Sequence, residues 1–254
     1  MQIEPLPAFE DNYIWLLVEG RQAAVVDPGD AAPVLRELQR RGLSLADIVV
    51  THHHGDHVGG VAELLHGSGA RCIAPATPRF GRPDLPVREA TRFDLLGEGL
   101  ETIEVPGHTL DHVAFHAPAA GALFCGDTLF GCGCGRLFEG TAAQMLHSLS
   151  RLAALPGATR VYCAHEYTLT NIRFALGVEP GNERLRARQR EGAARRARGE
   201  PTVPSTIELE RATNPFLRCD EPAVREAAGR FEPGAGESTL ATFAALRKWR
   251  NGFR

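Results

Sequence analysis

The stretch Ile48-Val49-Val50-Thr51-His52-His53-His54-Gly55-Asp56-His57 decides how the rest of this chain is read. Three apolar residues read as a buried strand, and they lead directly into four histidines and one aspartate. Imidazole and carboxylate are the side chains that hold zinc and related first-row ions. Spacing sets how they do so. On a helix, residues two apart point in nearly opposite directions, whereas in an extended segment they share a side. In an extended segment His52 and His54 therefore grip one ion, and His53 points away. Gly55 permits a sharp turn that brings Asp56 and His57 to a neighbouring position. One tetrahedral ion takes three or four protein ligands, so four donors here plus any from elsewhere imply two ions.

Three further candidates stand at predicted strand ends. His108 lies in Val105-Pro106-Gly107-His108-Thr109, Asp127 in Phe124-Cys125-Gly126-Asp127-Thr128, and His165 in Val161-Tyr162-Cys163-Ala164-His165-Glu166. Singly each is ordinary: a strand-end histidine is more often a hydrogen-bonded surface residue than a ligand, and Gly-Asp is more often a turn. With the first cluster they make five imidazoles and two carboxylates, the inventory of a paired metal site.

Around these residues the first two thirds of the chain alternate strand and helix signals. Tyr13 to Val18 and Ala23 to Val26 read as a hairpin across Glu19-Gly20-Arg21. Asp30 caps a predicted helix to about Arg41, with Pro33 in its first turn and Gly42 at its end. Val58 to His66 reads as a helix ending near Gly67. Glu101 to Val105, Val113 to His116, Ala122 to Cys125 and Arg160 to Cys163 read as strands. Thr141 and Gln144 form a capping box before a helix that presents Met145, Leu149 and Leu152 to the core. After Tyr167 the strand signals stop, and four helix-like segments follow, divided at 200–201, 213–215 and 232–234.

The 254 residues suffice for one large or two small domains. Net charge is -3, but residues 1–165 carry -7 and residues 166–254 carry +4. The first part suits cations and the second an anionic substrate. Six cysteines form no C-x-x-C pair and read as reduced thiols of a cytoplasmic protein. The N-terminus shows no signal-peptide pattern, and no apolar run approaches the length of a membrane span. Seven arginines between Arg184 and Arg198 read as a solvated helix face, because no aromatic residues are interleaved for stacking on nucleic acid.

The pattern His52-x-His54-x-Asp56-His57 with His108, Asp127 and His165 resembles the metallo-β-lactamase superfamily. Within it the chain resembles the hydroxyacylglutathione hydrolase (glyoxalase II) family over essentially its whole length. The segments 126–130, 133–141 and His165-Glu166-Tyr167-Thr168 carry that resemblance, with Asn214-Pro215-Phe216-Leu217-Arg218 in the tail. It implies an α+β fold, a four-layer αββα sandwich followed by a small all-α domain. Residues 1–165 would be the catalytic domain and residues 166–254 the helical substrate-binding domain. It also implies that His52, His54 and His108 hold one divalent ion, that Asp56, His57 and His165 hold a second, and that Asp127 bridges both together with a hydroxide. Zinc is the default metal, with iron and manganese compatible.

The activity the resemblance implies is hydrolysis of S-D-lactoylglutathione to glutathione and D-lactate, the second step of methylglyoxal detoxification, by attack of the bridging hydroxide on the thioester. Arg136, Tyr167, Arg247 and Arg250 are the implied contacts to glutathione, and the protein is expected to be a monomer that binds neither nucleic acid nor membrane. Arg247 and Arg250 also continue a stripe begun by Leu240 and Phe243 on the last helix, Ser238 to Arg250. Some relatives have tyrosine at Phe138 and lysine at Arg136 and Arg250; charge is kept at the latter two. Cys132, Cys134, His53, His66, His112, His116 and His147 are expected to be structural or surface residues. A persulfide dioxygenase, a lactonase or another thioesterase shares the histidine motif, but the helical tail favours the glyoxalase pattern. A nucleic-acid-processing protein is the remote alternative.

Overall fold

The computed structural model describes residues 1–253. By chain contacts it falls into two units. The first comprises 1–104, 111–126 and 162–165, and the second comprises 105–110, 127–161 and 166–254.

The first unit is built on two sheets. The strands of the first sheet, β1 (Gln2–Ala8), β2 (Asn12–Glu19), β3 (Gln22–Val26), β4 (Ser44–Val49), β5 (Arg71–Pro75) and β6 (Leu85–Val87), lie in sequence order. The first three pair antiparallel and the last three join in parallel. The predicted hairpin is present, closed at Glu19–Gln22. In β2 every residue from Asn12 to Val18 is buried, as expected of a strand covered on both faces. Ile14, Leu16 and Val18 pack with Val34 and Leu38 of α1 (Ala31–Arg41) and with Leu64. On the opposite face Trp15 meets Tyr162 edge-on at 4.8 Å, and Tyr162 stacks on Phe124. The second sheet contains β7 (Arg92–Leu95), β8 (Glu98–Glu104), β9 (Val113–Ala117), β10 (Ala122–Gly126) and, beyond β11 (Leu129–Phe130) and β12 (Gly133–Cys134), the strand β13 (Arg160–Cys163). Strands β1, β5, β6 and β7 escape the sequence reading, because prolines and charges interrupt their apolar pattern.

Asp30 caps α1 through Ala32 N, and Gly42 ends it in the left-handed conformation, both as expected. The helix expected over 58–66 is instead two: α2 (Gly55–Val58) and α3 (Val61–Ser68). A Cβ at Gly60 would lie 2.5 Å from the backbone nitrogen of Ala31, so only glycine lets the chain pass there.

The second unit holds α4 (Ala142–Ala153), entered through the complete Thr141–Gln144 capping box, and then the tail helices. These are α5 (Thr168–Val178), α6 (Glu183–Ala197), α7 (Ile207–Thr213), α8 (Pro222–Phe231) and α9 (Thr239–Gly252). The tail thus has one helix more than expected, because Pro180-Gly181 divides α5 from α6. A short strand, β14 (Ser205–Thr206), pairs with Arg160 and Val161 of β13. Segment 127–135 goes with the tail rather than with the sheets. Asn214 donates to the carbonyls of Phe130 and Gly133, and Glu210 accepts from Cys132 N. Phe174, Phe216 and Phe243 form the centre of this unit. No helix of the described residues is long and apolar enough to cross a membrane.

Candidate metal centre

Strand β4 ends at Val49, and the chain bends at Thr51 and His52 and is extended again at His54 before α2 begins. Alternation then acts as expected: His52 Nε2 and His54 Nδ1 face each other at 3.1 Å, while His53 turns the other way to Asp111. The turn at Gly55 places Asp56 and His57 in the first turn of α2. His165 arrives from the end of β13, its backbone bridged to Asn12.

In the first unit the donors of Asp56, His57 and His165 lie within 4.8 Å of one another. One oxygen, Asp56 Oδ2, stands 3.5 Å from His57 Nε2 and 3.4 Å from His165 Nε2. Ligands about 2.0–2.1 Å from a tetrahedral zinc are about 3.3 Å from each other. These separations therefore match the edges of a coordination tetrahedron. The tautomers agree. His57 Nδ1 donates to Asp27 Oδ2 at 3.0 Å and His165 Nδ1 to Asp11 Oδ1 at 2.8 Å. With the proton on Nδ1, each Nε2 keeps its lone pair for an ion. The neighbouring His165 and His57, with Asn12, hold the Asp56 carboxyl well below the usual carboxylate range, against a burial that pushes it up. The donor set is that of a divalent metal site.

The second unit holds a donor pair of its own. His108 Nε2 is 3.4 Å from Asp127 Oδ2, and His108 Nδ1 donates to the Arg136 carbonyl at 2.8 Å. Because a carbonyl only accepts, the tautomer here too leaves Nε2 open. His108 is set by α4: Ser148 Oγ bonds Pro106 O, and a Cβ on Gly107 would lie 2.8 Å from that of Met145.

The expected substrate contacts also lie in the second unit. Arg136 is exposed, and Tyr167 is half-buried against Phe130. Arg247 is 5% exposed, donates to Cys134 O at 2.7 Å and lies over Phe216. Arg250 donates to Asn171 Oδ1. The expected stripe on α9 is shifted. Leu240 is 43% exposed, and the buried face is Thr242, Phe243, Leu246 and Arg247. Burial, then the like charges of Arg247, Arg136 and Arg173, lower the pKa of Arg250. Among the described residues none of these four arginines has an ion-pair partner.

Asp27 escapes the sequence reading although it organises the site. It accepts from Thr51 N at 2.7 Å, from Thr51 Oγ1 at 2.8 Å and from His57 Nδ1. Its only signal is an acidic residue ending an apolar strand before Pro28-Gly29. Asp27→Ala is expected to weaken metal retention and turnover by about 10- to 100-fold, as loss of a histidine's carboxylate partner does. Metal content after dialysis checks it, and full retention would remove Asp27 from this role.

The cysteines are all buried free thiols. Burial pushes Cys132 up to about 12 and Cys72 up to about 11. Iodoacetamide at neutral pH is therefore expected to leave turnover unchanged while it alkylates free glutathione. Rapid inactivation would make one of these thiols functional.

Two β-sheets with clustered imidazole and carboxylate donors able to hold a divalent ion define a protein of the metallo-β-lactamase superfamily, whose family model matches residues 8–165. Residues 166–253 match the model described as hydroxyacylglutathione hydrolase C-terminus. The chain is 53% identical to hydroxyacylglutathione hydrolase of Dechloromonas aromatica (strain RCB), and to that of Pseudomonas aeruginosa (strain LESB58), covering 100% of each chain in both comparisons. This chain belongs to the hydroxyacylglutathione hydrolase family. Among solved structures, ETHE1 from Myxococcus xanthus shares the fold at TM-score 0.68 and 23% identity, covering 98% of this chain and 91% of that one. TTHA1623 in a di-iron-bound form aligns at TM-score 0.62 and 26% identity, covering 85% of this chain and 100% of that one.

Proposed function

We propose that this protein hydrolyses S-(2-hydroxyacyl)glutathione, S-D-lactoylglutathione foremost, to glutathione and a 2-hydroxy acid. The observation that carries this reading is the full-length 53% identity to relatives named for that activity. In the same reading residues 1–165 are the catalytic domain, residues 166–254 the substrate-binding domain, and the protein is a cytoplasmic monomer.

His52, His54 and His108 are proposed to hold one divalent ion, Asp56, His57 and His165 the second, and Asp127 both. The di-iron form of TTHA1623 supports paired occupancy; zinc is the ion proposed here, since the donor set suits it. Bound there, the ions make a water nucleophilic at neutral pH and stabilise charge that builds on an acyl oxygen. The protein's own part is orientation. Asp27, Asp11 and the Arg136 carbonyl keep three imidazoles in the ligating tautomer. The leaving thiol has an ordinary pKa of about 8.5, so no side chain has to protonate it. Asp56 serves as a ligand.

Arg136, Tyr167, Arg247 and Arg250 are proposed to receive the peptide part of glutathione. The support is a group of like charges without a carboxylate among them, an arrangement that favours an anion. Arg247 has a second duty, since its Nη1 fixes the backbone just before Arg136. Arg250→Ala is expected to raise KM for S-D-lactoylglutathione by roughly 10- to 100-fold with kcat little changed, the loss of one charge-assisted hydrogen bond. Steady-state loss of thioester absorbance measures both constants. No turnover of this thioester by metal-loaded protein would refute the proposed function. Turnover with an unchanged KM in the variant would remove only Arg250.

A further inference from the structure

His53 lies between two proposed ligands yet faces away from them. Its surroundings are ordered. Nδ1 lies 3.0 and 3.1 Å from the two carboxylate oxygens of Asp111. On its other nitrogen, Nε2 receives a hydrogen bond from Nη1 of Arg79. Arg79 Nη1 also lies 3.3 Å from Nδ1, but its shorter contact is to Nε2, and Nδ1 is closer to Asp111. A carboxylate accepts and a guanidinium donates, so a neutral imidazole protonated on Nδ1 satisfies both neighbours. The side chains of His53 and Asp111 are only 18% and 12% exposed, so this contact is sheltered from water. Arg79 is exposed, on a single helical turn, Pro78–Phe80.

We propose that Asp111, His53 and Arg79 form a brace that fixes the spacing of His52 and His54, making Asp111 and His53 positioning residues for the metal centre. The reason is geometric. In an extended segment one residue's side chain can be anchored on the far face while its two neighbours point to the near face. Anchoring His53 holds the backbone that His52 and His54 share. Their facing nitrogens, 3.1 Å apart, are then set before an ion arrives. Thr51 N, bonded to Asp27 Oδ1, secures the same segment from its start. Without the brace, ion binding has to order the segment itself, and affinity falls by that cost. In the sequence nothing distinguishes His53 from an ordinary residue, because its partners lie 58 and 26 positions away.

The inference rests on the proposed role of His52 and His54 as ligands, and its test separates the two. Zinc affinity is measured on the whole protein by competition with a chromophoric chelator, alongside the visible spectrum of the cobalt-substituted protein. Asp111→Ala is expected to weaken zinc binding by about 10- to 100-fold, the range for a partner one step removed from the metal, and to alter the cobalt spectrum. Asp111→Asn keeps an acceptor for Nδ1 and is expected to restore most of the affinity. Arg79→Ala, at an exposed position that folding does not need, is expected to give a smaller loss in the same direction. If Asp111→Ala lowers the melting temperature sharply, the Arg79 variant decides: an affinity and spectrum equal to the parent's would overturn the brace. Unchanged affinity in a well-folded Asp111→Ala would overturn it equally. Should His54→Ala itself leave zinc binding intact, the ligand assignment fails instead.

Discussion

His54→Ala and Asp127→Ala are each expected to lower kcat by a thousandfold or more, with metal content below that of the parent protein. The size follows from what the ligands hold. Metal ions contribute several kcal/mol of charge stabilisation to reactions of this kind, and about 4 kcal/mol is a factor of a thousand in rate. His54 Nδ1 faces His52 Nε2 at 3.1 Å, so removing it leaves a site with one imidazole fewer and an opening to water. Asp127 Oδ2 lies beside His108 Nε2, and its removal takes away the one donor proposed to serve both ions. EDTA is expected to abolish turnover, and added zinc to restore it in the parent but not in the variants. Elemental analysis and single-substrate kinetics on the same samples give the answer. Near-normal turnover in both variants would sink the ligand assignment, and an enzyme indifferent to EDTA would sink the metal reading as a whole.

Glu210→Ala is expected to destabilise the protein by about 3–5 kcal/mol, the usual cost of stripping one member from a buried ion pair. Glu210 is fully buried. Its carboxylate takes Arg188 Nη2 at 2.5 Å, the backbone nitrogen of Cys132 at 2.8 Å and Asn214 Nδ2 at 3.2 Å. Arg188 completes the set through Thr213 Oγ1. Alanine would leave a buried guanidinium and a buried amide without their acceptor. It would also take away the backbone anchor of Cys132, held at φ 59, leaving only its thiol contact to Thr213 O. The melting temperature is expected to fall by about 10 °C, given 2–4 °C per kcal/mol in a chain of this size. Replacing Arg188 and Glu210 together by apolar residues of similar volume is expected to recover much of the loss, because no charge is then left buried. A single variant that melts with the parent would show that the pair adds nothing.

The basic run containing Arg188 shows where the sequence is legible and where it is not. Read as a solvated face, it is so at Arg184, Arg186, Arg190, Arg196 and Arg198, but Arg188 is 6% exposed and anchors the segment before the proposed substrate arginines. Nothing local distinguishes it, because its partner is 22 residues away. The partners of the ligand histidines behave likewise: Asp27 is 30 positions from His57, and Asp11 is 154 from His165. In the tail a proline and a glycine at 180–181 divide one predicted helix into two, a break whose signal is local and present in the sequence.

By itself the sequence determined what depends on neighbours along the chain. The alternation of His52, His53 and His54, the Asp30 and Gly42 caps of α1, and the Thr141–Gln144 box are all set within a few residues, where backbone periodicity and local hydrogen bonds decide the outcome. Only the tertiary structure decided which carboxylate fixes each imidazole's proton, which arginine is buried, and how far apart the donors stand. Those are properties of groups brought together from distant positions, and their energies depend on burial and on distances of a few ångströms that no local pattern encodes.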